Sequence, residues 1–258
     1  MTVSYIEQRQ PMAKQRSLAI ILFSGLLAFG FHTIPSFFNN RSLSYQGIAS
    51  DLQSGKVSFT EDHEEFLTDS QSPEIATIQY RDPSGEIIVK KRIDYSHSLS
   101  APDFMQEDLR DGYTEGARVV GEEVELTCRK DSKHASKTKR IKIPSPVVID
   151  GGFNQFLKQH WDQLASGATI QFNFAAPSQL DYYAFRVYLV KQETANGVNG
   201  LLFKMEPESF LLRALLAPIY LKYNADTRRL QQYEGITTIN DARGKSLFAR
   251  IVYPVTGP

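Results

Sequence analysis

The stretch Ala76-Thr-Ile-Gln-Tyr-Arg-Asp-Pro-Ser-Gly-Glu-Ile-Ile-Val-Lys-Lys-Arg-Ile-Asp-Tyr95 decides the fold class. Ala76, Ile78 and Tyr80 alternate with polar neighbours, the period of two expected of a strand with one buried face. Asp82-Pro-Ser-Gly85 then puts Asp, Pro and Gly at the first, second and fourth positions of a tight turn. Beyond the turn Ile87, Val89, Ile93 and Tyr95 resume the alternation, so the segment predicts a β-hairpin.

Outward from this hairpin the pattern recurs. Val124, Leu126 and Cys128 face Ile141 and Ile143 across a polar loop, and a long strand over 182–190 is answered by 201–205 beyond Asn196-Gly-Val-Asn-Gly200. Ile219, Leu221 and Tyr223 and the run 230–239 flank Asn224-Ala-Asp-Thr227; Leu247, Ala249, Ile251 and Tyr253 close the series after Asp241-Ala-Arg-Gly244. Strands on this spacing, joined by short polar turns, predict a mainly β fold: one curved antiparallel sheet, a half-barrel or barrel-like meander. Pro144-Ser-Pro146 is the seam between two sets of hairpins, which a single continuous sheet is expected to span.

Two helical segments interrupt the strands. Asp150 is placed to cap a helix whose Phe153, Phe156, Leu157, Trp161 and Leu164 fall on one face, an amphipathic helix that covers the sheet. Ser209 is placed to cap 210–217, which is apolar all round except for Arg213 and ends at Pro218. At the amino terminus Lys14 and Arg16 precede Leu18–Phe31, 14 residues without a charge, the layout of an export signal and an N-terminal hydrophobic helix. Residues 1–38 therefore read as a signal peptide or membrane anchor, with Met12 as an alternative start, and 42–255 as a single β-rich extracytoplasmic domain. The Lys/Arg bias places that domain in the periplasm, secreted or anchored in the cytoplasmic membrane.

Composition sets the limits. The 258 residues carry 29 basic and 29 acidic side chains, a net charge of zero that offers no overall field for nucleic acid. Without residues 1–31 the balance is 26 basic to 28 acidic. One cysteine, Cys128, excludes a disulfide framework or a multi-thiolate metal site.

The stretch Val148-Ile-Asp-Gly-Gly-Phe through Trp161, then Phe203-Lys-Met-Glu-Pro, Leu211-Leu-Arg213, Pro218-Ile-Tyr-Leu-Lys-Tyr223 and Tyr233-Glu-Gly-Ile-Thr-Thr-Ile-Asn-Asp241, resembles a family of uncharacterised exported bacterial proteins, a domain of unknown function. Tyr80-Arg-Asp-Pro-Ser-Gly85 and Ala101-Pro-Asp-Phe104 are similar to its first half. The family supplies no catalytic residue to carry over. More distantly, the strand-rich layout with a covering helix resembles the half-barrel lipoprotein-carrier fold, an architectural analogy without a shared motif.

No constellation of acid, base and nucleophile can be assembled from spacing alone, which ranks an enzyme third among the readings. Gly151-Gly152 lacks dinucleotide-loop spacing and is read as a tight turn before the helix, no G-x-S-x-G is present, and the five histidines show no H-x-H or H-E-x-x-H spacing. Glu61-Asp-His-Glu-Glu65 reads as a solvated strand or loop, and Cys128 as an inward core residue. No catalytic residue, metal or cofactor is assigned. Charge is most uneven between 103 and 142: eight acids precede 126, and seven bases follow within 129–142. These charges read as exposed cross-strand pairs, or else as a basic loop whose Lys133, Lys137, Lys139 and Arg140 touch anionic lipid headgroups. Phe210–Leu216 reads as a plug in the open end of the sheet, with Arg213 paired to a buried carboxylate, or as a lid over an apolar cavity. The expected function is a non-enzymatic envelope protein that binds an apolar or amphipathic molecule in a β-sheet cavity formed by Phe153, Trp161, Tyr183, Phe185 and Arg213. Besides the membrane contact of its N-terminal segment, the alternative is a structural module of an envelope assembly, docking an envelope protein partner through the hairpin 103–142.

Overall fold

A computed structural model describes residues 41–254 except Asn196, Gly197 and Ala242. The hydrophobic run Leu18–Phe31 and the rest of the expected signal or anchor, 1–38, lie outside the described residues. Eight strands run first: β1 (Ser42–Asp51), β2 (Val57–Leu67), β3 (Pro73–Arg81), β4 (Ile87–Asp94), β5 (Asp103–Asp108), β6 (Thr114–Val120), β7 (Glu123–Arg129) and β8 (Lys137–Ile141). After β9 (Val147–Val148) come helices α1 (Gly152–Gln159) and α2 (Trp161–Ala165), then β10 (Ile170–Ala176) and a 3₁₀ turn at Pro177–Gln179. The chain continues through β11 (Asp181–Ala195), β12 (Val198–Pro207), helix α3 (Phe210–Leu215), β13 (Ile219–Asn224), β14 (Leu230–Asn240) and β15 (Ser246–Val252).

All fifteen strands form one sheet in the order β8-β7-β6-β5-β4-β3-β2-β1-β15-β14-β13-β12-β11-β10-β9. The chain starts in the middle, meanders to one edge, crosses at Pro144-Ser-Pro146 to the other edge and meanders back until β15 pairs with β1. The expected seam is thus the crossover between the two free edges. Every pairing is antiparallel except β9 with β10. The expected hairpin is β3–β4, with Tyr80 opposite Val89 and Ala76 opposite Ile93, and Asp82 shapes its turn by accepting bonds from the Ser84 and Glu86 amides.

The sheet curls so that its ends approach: Leu180 and Tyr182, just after the 3₁₀ turn, pack on a core that includes Val124 and Leu126 of β7. Two apolar clusters fill the inner face. One joins β1–β7 to β15 around Phe59, Val89, Ile93 and Leu126; the other wraps α1 and α2 with β10–β13 around Phe156, Leu157, Phe172 and Phe203.

The expected covering helix is two. The backbone breaks at His160 (φ −104°, ψ 18°), whose Nδ1 lies 2.9 Å from the Phe156 carbonyl oxygen. Its start also differs from expectation. Gly151 is the N-cap residue, and Asp150, at φ 41°, turns its carboxylate inward. Glycine at 152 is required by proximity, because a Cβ there would fall 2.1 Å from the Ser100 carbonyl oxygen. Among the described residues no helix is long and apolar enough to cross a membrane.

Candidate functional site

Antiparallel order sorts the connections into two rims. The turns after β1, β3, β5, β7, β10, β12 and β14 share one rim, fixed by Asp51 opposite Ala249, Tyr220 opposite Glu234 and Phe185 opposite Pro207. The β2–β3, β4–β5, β6–β7 and β13–β14 turns share the other rim with the chain's entry into β1.

On the first rim stands α3. Its Phe210, Leu211 and Leu215 are 75%, 74% and 79% exposed, and Leu216 just beyond it is also exposed. The expected plug or lid is therefore an uncovered knob. Eleven residues separate β12 from β13, and six of them coil into a single helical segment that no other described element buries. Arg213 ties the knob down: its guanidinium donates to the Pro207 and Glu208 carbonyl oxygens, and its Nε lies 4.0 Å from the carboxylate of buried Glu206. Burial alone would raise the Glu206 pKa, but Lys204 and Arg186 bond it and hold it below the ordinary carboxylate value.

The same rim carries the loop 130–136. Lys130, Lys133 and Lys137 are exposed and have no ion-pair partner among the described residues. On the adjoining strands the acidic and basic runs meet: Glu125 accepts from Arg118 (2.6 Å) and Arg140 (2.7 Å), and Glu122 from Lys142 (2.7 Å). Arg140 is thus engaged in a cross-strand pair, whereas Lys133, Lys137 and Lys139 remain open to solvent.

Of the five residues expected to line an apolar cavity, Phe153, Trp161 and Phe185 meet in one packed apolar cluster, whereas Tyr183 is exposed and Arg213 lies apart on α3. Trp161 packs edge-on against Phe203 and Tyr223 at centroid distances of 5.7 Å, and Phe153 lies 5.4 Å from Phe172. Both are buried in the protein's own core. Tyr183 and Phe185 continue the inward parity of Val187 on β11 but become more exposed towards the first rim. Arg213 belongs to α3.

The interior holds charges that sequence reasoning missed. Glu61 and His63 on β2 are turned inward, so the acidic run 61–65 is a half-buried strand and not a solvated segment. Glu61 accepts a hydrogen bond from the Tyr253 hydroxyl; His63 Nε2 sits 3.2 Å from its Oε1, too misaligned to hydrogen-bond, while the imidazole stacks on Tyr45 at 4.4 Å. Burial favours the neutral acid, but His63, Tyr253 and Lys91 outweigh it and keep the Glu61 pKa below its usual value. Lys91 on β4 donates to Asp150 (2.7 Å) and lies over the rings of Tyr80 and Phe104. Burial would depress its pKa, and Asp150 with Tyr80 reverses this to a raised one. Glu115 on β6 accepts from the Tyr113 hydroxyl at 2.9 Å; burial raises its pKa against the opposing pull of Lys91. Cys128 is half-buried, and burial with the nearby Glu115 charge lifts its pKa. Parity was the available signal: Glu61, His63 and Glu65 keep step with Phe59, and Lys91 fills the gap between Val89 and Ile93.

Of these buried groups the Lys91–Asp150 pair ties the start of α1 to β4, while His63 Nε2 is left without a hydrogen-bond partner among the described residues. Among the described residues no group of three or more His, Cys, Asp or Glu is placed to hold a metal ion. Among solved structures, the fold is similar to that of a β-barrel-like protein of domain of unknown function DUF1849 from Brucella abortus. That likeness has a TM-score of 0.45 at 11% identity and covers 82% of this chain and 94% of the other. No family model and no curated protein sequence matches the chain.

Proposed function

We propose that this chain is a non-enzymatic, extracytoplasmic β module that engages an amphipathic partner, the surface of an anionic membrane, through its first rim. The observation that carries the reading is α3, which exposes Phe210, Leu211 and Leu215 to about three-quarters of their full surface while Arg213 pins it to β12. Monomeric surfaces rarely keep contiguous large apolar side chains uncovered without a use. Lys130 and Lys133 on the same rim supply the headgroup attraction, about 1 kcal/mol for each base close to an anionic surface. The layout Lys14, Arg16, Leu18–Phe31 supports delivery of the domain to that surface. Compared with the cavity expected from sequence, the binding element moves from the concave face to the rim, because Phe153 and Trp161 are spent on the protein's own core.

The test is local, so an anchoring amino terminus cannot mimic it. In full-length protein carrying Cys128→Ser, an environment-sensitive fluorophore is attached at Leu211→Cys. Phosphatidylglycerol vesicles are expected to shift its emission to the blue, with the shift weakened by Lys130→Glu/Lys133→Glu and by salt. Emission that stays at its aqueous value while the protein is vesicle-bound refutes the reading.

A further inference from the structure

The second rim, opposite α3, carries a cleft of about 660 Å³ between the ends of β1–β3 and helix α1. That volume lies within the range of small-molecule sites. Gln155 lines it. The residue is 8% exposed, and its amide has no hydrogen-bond partner among the described residues. Its amide is therefore free to bond a molecule that enters the cleft. Lys158 follows three positions later on the same helix face, half-buried and without an ion pair among the described residues. Burial pushes its pKa below the ordinary lysine value; Glu65 opposes the shift and Arg229 adds to it. Arg41 and Ser72 complete the donors at the mouth. Glu65, the only carboxylate in the lining among the described residues, already accepts the Tyr45 hydroxyl at 2.7 Å.

We infer that this cleft binds a small ligand through a phosphate-ester group, with Lys158 and Gln155 as its inner donors and Arg41 at the entrance. Lys158 and Arg41 bring two cations without an ion pair among the described residues to one cleft, with Gln155 and Ser72 as neutral donors, and a phosphate group carries the charge and the acceptor oxygens to meet them. The site lies on the rim away from α3 and does not depend on membrane docking.

A free metabolite and a lipid headgroup are the two sources of such a phosphate, and two soluble probes separate them. Full-length protein in a non-ionic detergent is titrated calorimetrically with glycerol 3-phosphate, a monoester, and with glycerophosphoglycerol, the diester of a lipid headgroup. Saturable binding of either is expected, weakened about 10- to 100-fold by Lys158→Met and by Gln155→Leu, as for loss of a hydrogen bond to a charged group. The monoester alone points to a metabolite and the diester alone to a headgroup. Leu211→Ser is expected to leave these titrations unchanged. Lys158→Met removes an unpaired half-buried cation, so without ligand its melting temperature is expected to equal or exceed that of the parent, which shows that the variant folds. No saturable binding of either probe up to millimolar concentration, or undiminished binding by Lys158→Met, overturns the inference.

Discussion

Glu115 shows how one buried charge sets a pH dependence. Its carboxylate is 6% exposed and bonded by Tyr113, and burial raises its pKa above the unfolded value. Between those two pKa values the folded state binds more protons than the unfolded one. Stability therefore falls as pH rises through this window and stays reduced above the folded pKa. Glu115→Gln keeps an acceptor for the Tyr113 hydroxyl and removes the ionisation. We expect its urea midpoint to exceed that of the parent at pH 7, equivalent to about 2–4 °C in melting temperature for each kcal/mol recovered. The gain should vanish below the ordinary glutamate pKa, where both proteins carry a neutral side chain. A lower midpoint at pH 7 would mean that the Glu115 charge supports Lys91 by more than its burial costs. The Lys91–Asp150 pair differs in kind, since both members are buried and each is the other's compensation. Removal of either alone would strand a charge, at a cost of about 3–5 kcal/mol.

At the scale of elements, close approach outranks propensity. Alanine is the better helix former by about 1 kcal/mol, so α1 viewed alone would gain from Gly152→Ala. The packing reverses the sign, because the new Cβ would meet the Ser100 carbonyl oxygen at 2.1 Å and Pro102 at 2.6 Å. Backbone on one side and a proline ring on the other leave no flexible side chain to yield. Gly152→Ala is expected to destabilise by about 1–3 kcal/mol, as overpacking does, with the loss read as a lower denaturant midpoint at unchanged slope. An unchanged or raised midpoint would show that α1 shifts freely along β4. This contact was invisible in sequence, where Gly151-Gly152 read as a turn. The strands were legible because alternation is local: Tyr80 faces Val89, and Val124 faces Ile141, as their spacing required. Asp150 was misjudged as a cap because its true partner, Lys91, is 59 residues away. The α3 knob could not be read either, since an all-apolar run describes a plug and an exposed surface equally well.

At the scale of the whole molecule, a fifteen-stranded meander that stops short of closure must protect two edges. The β9 edge is two residues long and followed at once by α1, so it offers little to pair with. The β8 edge is longer, and its protection is written in its charges. Lys139 stands opposite Leu126 and Lys137 opposite Cys128, so both share the face on which β7 buries Leu126. Inward-facing lysines on an edge strand oppose the addition of another strand, because each new pairing would bury an ammonium. This accounts for Lys137 and Lys139 without a partner, while Lys130 and Lys133, off the strand, remain for the rim. Lys137→Val/Lys139→Val should convert β8 into an unguarded edge of β-branched residues. We expect sedimentation velocity to show association that grows with concentration, and hydrogen exchange to slow at the amides of 137–141 as dimers form across β8. Lys130→Glu/Lys133→Glu, which leaves the edge intact, should stay monomeric by the same measurement. If the valine pair also remains monomeric, with β8 amides exchanging as in the parent, the edge is blocked by the crossover at Pro144-Ser-Pro146 and not by charge.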